Sequence, residues 1–236
     1  MSEMSSVESR EPKQPREGIY SSSRVERSIT VIAIAIASIG LGYLFFTQLW
    51  WKAPPTFSCT EDYAFSQASP EGNLAREPGL CGWIGIEAFY ADKPRELFSA
   101  NIIRSNPGPE LSIPIGIAQQ ANGAFIENVV KPNIRWFGYV IWGTEAFIFL
   151  SLCLGFMSRL GALAAIGMSA QLTIGLAGIP QPYEWEWSYQ TILLLSIVMF
   201  GLAPGRYFGL DRLLRPRLMA LSERGGKFSR LLLLFT

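Results

Sequence analysis

Glu145 stands at the middle of an apolar run, 133–156, whose other charge is Arg135 near its start. A carboxylate at the centre of a membrane-spanning helix costs about 2.5–3.5 kcal/mol on insertion scales. Its side chain is therefore expected to face protein, and to be held as a neutral acid because burial disfavours the charged form. Trp142 and Phe149, three and four residues away, share its helical face. Thr47 and Gln48 in one neighbouring apolar run, and Gln171 and Thr173 in another, are candidate hydrogen-bond partners. Two chemical roles fit. Glu145 carries a proton beside a bound quinone, with Trp142, Phe149, Gln48 and Gln171 around the ring, or it anchors a small polar substrate. A structural role fits as well, in which a neutral acid pins helix packing.

Few other residues offer chemistry. The chain has no histidine, so it holds no haem or copper through imidazole, and no CxxC pair suggests zinc. No metal site is expected, nor any cofactor bound through histidine; quinone is the one cofactor kept. No nucleotide-binding loop or nucleophile–base pair occurs, and no nucleic-acid partner is expected. Cys59 and Cys81 lie in one long loop, where an oxidising compartment permits a disulfide; two free thiols also fit. Cys153 reads as a small packing residue.

The elements that must position Glu145 follow from block lengths. Of 236 residues, 49% are apolar or aromatic and 17% charged, below the roughly 25% charged of a soluble domain. A helix needs about 20 apolar residues to cross a bilayer core. Four blocks meet or approach this: 28–51, 133–156, 160–179 and 185–203, the last being the shortest. The run 28–51 exceeds the roughly 7–15 residues of a signal-peptide core and follows a long polar tail, so it reads as a retained anchor. The fold expected is an all-α integral membrane four-helix bundle, with the lipid bilayer as its first partner.

Lys and Arg orient it. Residues 206–236 hold seven bases against two acids, and the 157–159 turn holds Arg159. The 52–132 loop holds six bases against nine acids. The positive-inside rule places both termini in the cytoplasm. Trp50, Trp51, Trp136, Tyr183, Trp185, Trp187, Tyr189 and Tyr207 then form an aromatic belt. The small residues of 160–179 (Gly161, Ala162, Ala165, Gly167) read as close helix packing.

Outside the spans, 1–27 is too polar to bury a core and reads as disordered. The 52–132 loop is too long to lack structure. Helical patterns are expected over 94–104 and 115–130, separated by a turn at Asn106-Pro107-Gly108-Pro109. The loop reads as a partly helical external cap, or as a docking surface for a subunit or substrate. The basic tail 206–236 alternates Arg with Leu210, Leu213, Leu214, Leu218 and Leu221, as an interfacial helix does. Leu231–Phe235 is an apolar tip suited to lipid or a neighbouring protein.

Four motifs share their order with the DoxX/DoxD superfamily. They are Gly143-Thr144-Glu145, then Gly155-Phe156-Met157-Ser158-Arg159-Leu160-Gly161-Ala162, Glu184-Trp185-Glu186-Trp187, and Gly205-Arg206-Tyr207-Phe208-Gly209-Leu210-Asp211-Arg212-Leu213-Leu214. Over 133–215 the chain resembles that superfamily, and especially the small DoxD subunit of thiosulfate:quinone oxidoreductase. The first span, with Leu41-Gly42-Tyr43-Leu44-Phe45-Phe46, fits more loosely. The resemblance implies a prokaryotic cytoplasmic-membrane protein linked to quinone-dependent electron transfer. Arg159, Arg206 and Asp211 are assigned structural roles, with Arg206 and Asp211 expected to pair with the Arg159 turn. Its long loop and basic tail depart from the family. They suit an alternative, a non-catalytic accessory subunit of a respiratory or photosynthetic complex, which requires partner subunits. A transporter is a third reading, with little room for alternating access in four spans.

Overall fold

A computed structural model describes residues 24–69, 73–93, 96–101, 110–114, 116–176, 179 and 186–236, and over 96–101, 110–114 and 186–187 only their backbone. The chain is mostly helical. Its first helix, α1 (Arg24–Trp50), is followed by a short hairpin of β1 (Gln67–Ala68) and β2 (Leu74–Ala75), then by α2 (Gly79–Tyr90). A second antiparallel hairpin pairs β3 (Glu96–Asn101) with β4 (Glu110–Pro114). After α3 (Gly116–Phe125) come α4 (Ile134–Leu154), α5 (Ser158–Leu176) and α6 (Glu186–Leu202), then α7 (Asp211–Glu223) and α8 (Lys227–Phe235).

Among the described residues, three helices are long and apolar enough to cross a membrane: Arg24–Trp50, the continuous Gly116–Leu154, and Ser158–Leu176. A shorter apolar helix covers Ser188–Leu202. Beside an apolar core, these helices expose large apolar side chains and bury polar ones. Ile29, Ile32, Ile36, Leu194 and Val198 are exposed, whereas Ser38, Glu145, Ser151, Ser169, Thr173 and Ser196 are buried. Apolar surfaces outside and polar groups inside suit contact with lipid.

Helix α1 lies along α4 and α5 along α6 over long stretches, while α4 meets α5, and α1 meets α6, over shorter ones. Small residues let α1 approach α4. Ser38 Oγ donates to Leu152 O at 2.9 Å, and a Cβ on Gly42 would lie 2.8 Å from Cys153 Sγ. Cys153 is thus a packing residue with a free thiol. Leu41, Phe45, Ile148, Leu152, Ala162, Ala165 and Met199 form the core at the α4–α5 turn end.

Several expectations shift. The helix expected over 94–104 is a strand at 96–101, where pairing with 110–114 satisfies the backbone. A helix of that length is marginal alone, and the Pro-Gly-Pro between the segments favours reversal. Residues 94, 95 and 102–109, with the expected turn, lie outside the described residues; so do 1–23 of the N-terminal tail, and Tyr183, Glu184 and Trp185. The 115–130 helix is present from Gly116, but no loop separates it from the next span. A π-turn (Ile126–Val130) and a 3-10 turn (Lys131–Asn133) carry the helix through to α4. Pro132, which lacks an N–H, is absorbed where the regular helical bonding is already altered.

The segment between α1 and α4 forms a cap. Cys59 and Cys81 are bonded, with Cα atoms 5.5 Å apart. Phe57 is wholly buried and lies over Gly138 of α4, where a Cβ would come within 2.5 Å of its ring. Phe57, Leu80, Ile84, Ile126, Val130 and Ile134 make a second core joining cap to spans.

At the other end the chain is interlocked. Gly155 takes the left-handed conformation (φ 61°) that ends α4. Asp211 then reaches back: its carboxylate accepts from Met157 N (2.6 Å), Ser158 N (2.8 Å) and Ser158 Oγ (2.7 Å). Asp211 N donates to Gly155 O at 2.8 Å, and Gly205 N to Ser158 Oγ at 3.1 Å. Two of the four resemblance motifs therefore form one knot that caps the N-terminus of α5.

Candidate functional site

Between the two cores lies a cavity of about 500 Å³. Its walls come from α1, α2, α3, α4, α5 and α6 together with Trp51 and Lys52. It exists because the tight pairs α1/α4 and α5/α6 meet each other over shorter stretches, with the cap closing over the gap. Most of the wall is apolar, including Phe45, Leu80, Ile84, Ile126, Ile141 and Ile192.

Glu145 projects into this cavity and is 3% exposed. Its partner is Lys52, 6% exposed, whose Nζ donates to Oε1. The lysine follows α1, with Nζ 4.7 Å from the Trp51 ring centroid. Glu145 Oε2 is buried and accepts no hydrogen bond. A buried acceptor without a donor costs about 1–3 kcal/mol. A bound molecule that supplies an O–H or N–H would recover that.

A second carboxylate enters from the cap. Glu87 of α2 is buried and lines the same cavity. Its Oε2 accepts from Gln171 Nε2 at 2.7 Å and Asn122 Nδ2 at 3.2 Å. Gln171 Nε2 also reaches Asn122 Oδ1 at 3.3 Å. This network ties α2, α3 and α5 together. Gly175 makes room for it, since a Cβ there would lie 2.2 Å from Glu87 Oε2. Trp51 and Trp83, with ring centroids 6.2 Å apart, complete one wall.

The residues expected from sequence divide. Gln48 and Gln171 line the cavity with Glu145. Trp142 and Phe149 are absent from its lining: Trp142 Nε1 donates to Leu49 O at 3.1 Å, and Phe149 packs on Phe46 with centroids 4.7 Å apart. Both share Glu145's side of α4 but are spent on the α1 contact. None of the expected partners bonds Glu145. Thr47 and Thr173 donate to carbonyls of their own helices, Gln48 Oε1 accepts from Trp51 Nε1 at 3.0 Å, and Gln171 serves Glu87. Trp51 and Tyr189, assigned to the aromatic belt, line the cavity; Trp50 and Trp136 are exposed as a belt requires.

No protein-family model, curated protein or solved structure matches this chain.

Among the described residues, no cluster of His, Cys, Asp or Glu has a metal-holding arrangement. The arginines assigned structural roles lie at the knot's end of the molecule. Arg159 donates weakly to Gly201 O at 3.4 Å. Arg206 does not pair with the Arg159 turn as expected; its Nε donates to Thr236 O at 2.8 Å, and Arg215 Nη1 reaches the same oxygen at 3.1 Å. Burial, then repulsion from Arg159 and Arg215, pulls Arg206 below the ordinary arginine range.

Lys52 and Glu87 are the residues that sequence reasoning missed. Each had a signal. Lys52 is a base that directly follows the first span, at the start of a loop richer in acids than in bases. Glu87 is a lone acid in the run Leu80–Tyr90, which is otherwise free of charge.

Proposed function

We propose that this chain is a multi-pass membrane protein of the DoxX/DoxD type, which binds a quinone-class molecule in the cavity as part of quinone-linked electron transfer. The observation that carries the reading is Glu145 Oε2, a buried acceptor without a donor in an apolar cavity, beside the Lys52 ammonium. A quinol hydroxyl fits the free oxygen, and a quinone carbonyl fits the lysine. Reduction of the ring takes up two electrons and two protons. Lys52 and Glu145 are placed to pass protons, and the electrons come from a donor outside this chain. The resemblance implies thiosulfate as that donor.

The same reading has four crossings, both termini on the cytoplasmic side, and a prokaryotic cytoplasmic membrane. The fourth crossing rests on α6, about 26 Å long at 1.5 Å per residue, and α6 is apolar and laid along α5. The cap, with its disulfide, is then on the oxidising side.

The test is thiosulfate-dependent quinone reduction in membranes containing the protein, with Glu145→Gln alongside. Activity lowered at least tenfold in the variant supports the assignment; activity unchanged by it removes Glu145 from the mechanism.

An accessory role has its own observation. Helices α7 and α8 pack on each other yet expose Leu213, Met219, Phe228, Leu231 and Leu234 beside a run of arginines. Such a surface suits the membrane interface or a neighbouring subunit. Purification in mild detergent followed by mass spectrometry separates the two: a stoichiometric partner favours the accessory role, and a chain that migrates alone counts against it.

A further inference from the structure

Helices α4 and α5 meet over a shorter stretch than α5 and α6. Near their turn α4 and α5 touch: a Cβ on Gly161 would lie 2.1 Å from Ser151 Oγ. Further along α5, about level with Glu145 and on a different face of the helix, a Cβ on Gly167 would have no atom within 4 Å. Gly167 belongs to the cavity wall and is exposed. So are Val140 of α4, 40% exposed, Phe125 of α3, 41% exposed, and Leu44 of α1, 44% exposed.

A residue that both walls a cavity and is exposed outside marks a mouth. Leu44 stands alone on α1; Phe125, Val140 and Gly167 lie on two adjacent helices and on the segment that leads into one of them. Together these three outline a slot between α4 and α5, continued by Met168 and Leu172 of the wall. The slot lining is apolar, and it opens through helices whose outer faces suit lipid. Its inner end is the polar pair Lys52–Glu145.

We infer that the ligand reaches the cavity sideways from the bilayer through this slot, and that it is an amphiphile whose polar ring rests at Glu145 while its hydrocarbon chain stays in the slot. The inference rests on the cavity being a quinone-class site. It adds that the physiological ligand carries a chain, and that the chain leaves between α4 and α5. A chain moved from lipid to an apolar slot gains little hydrophobic free energy. The slot's effect is therefore steric: closing it bars the chain and spares the ring.

The experiment uses the full chain in lipid nanodiscs and reads quenching of tryptophan fluorescence, since Trp51 and Trp83 wall the cavity. Two quinones with one ring are compared, one with a decyl chain and one with a methyl group in its place. Each affinity is referred to the concentration dissolved in the bilayer. Two variants close the slot from opposite sides, Val140→Phe and Gly167→Leu; the open space at Gly167 admits the added side chain. Wild type is expected to bind both quinones. Both variants are expected to bind the decyl quinone about tenfold more weakly or worse, and the methyl quinone within about threefold of wild type. Unchanged decyl binding in the variants overturns the slot, as does equal loss of both ligands. Wild type that binds the methyl but not the decyl quinone overturns it too. If neither quinone binds wild type, the quinone reading of the cavity fails, and the route fails with it.

Discussion

Lys52 and Glu145, 93 residues apart in sequence, form a buried ion pair that joins the end of α1 to the middle of α4. One oxygen of the carboxylate is satisfied and the other is left to the cavity. The pair is thus both a packing device and a half-open binding site.

Breaking that pair from one side leaves a buried charge alone. Lys52→Met and Glu145→Leu are each expected to destabilise the protein by about 3–5 kcal/mol. The double variant should cost less than the sum of the two, because no unpaired charge remains. Denaturation in mixed micelles measures all three. Additive losses would show that the two side chains do not act as a pair.

Asp211→Ala removes three acceptor contacts from the start of α5. A loss of about 2 kcal/mol is expected, at the upper end for an N-cap. Asp211→Asn, which keeps one acceptor oxygen, should lose less. Thermal unfolding ranks the variants; equal stability of Asp211→Ala and wild type would mean that the knot does not hold the turn.

How much of this was readable in the sequence depends on the range of the interaction. The helices were legible because block length and composition are local properties, and α5 and α6 lie within a few residues of the blocks expected. Glu145 was legible because a lone acid in an apolar run is conspicuous. Its partner was not, since Lys52 belongs to a loop by sequence and meets Glu145, 93 residues on, only in three dimensions. Trp142 and Phe149 show the complementary error. Helical spacing puts them on Glu145's side, but a face about 100° wide serves both a neighbouring helix and a cavity. The strand at Glu96–Asn101 was hidden because its pairing with Glu110–Pro114 outweighs a short helical pattern.

The disulfide closes a separation of 22 residues between the Lys52 segment and α2. Replacing Cys59 and Cys81 by serine is expected to lower stability by about 3 kcal/mol and to expose the cap to protease. Limited proteolysis, with and without reductant, checks this. Wild type that is cleaved equally fast in both conditions would argue against the disulfide as the cap's staple.

Gly175→Ala places a methyl group where Glu87 now sits. Overpacking of this kind costs about 1–3 kcal/mol, and displacement of Glu87 from Gln171 should weaken ligand binding several-fold. Gly143→Ala is the control, since its Cβ meets nothing within 4 Å. Identical behaviour of the two variants would contradict the role given to the Glu87–Gln171 contact.

The most direct measurement is a titration of the full chain in nanodiscs with a short-chain quinone, followed by tryptophan fluorescence. Saturable quenching is expected in wild type, smaller in amplitude when Trp51 and Trp83 are replaced by phenylalanine. Glu145→Gln should weaken binding about tenfold, the equivalent of about 1.4 kcal/mol for a lost buried acceptor. Quenching that never saturates, or an affinity that Glu145→Gln leaves unchanged, would contradict the account.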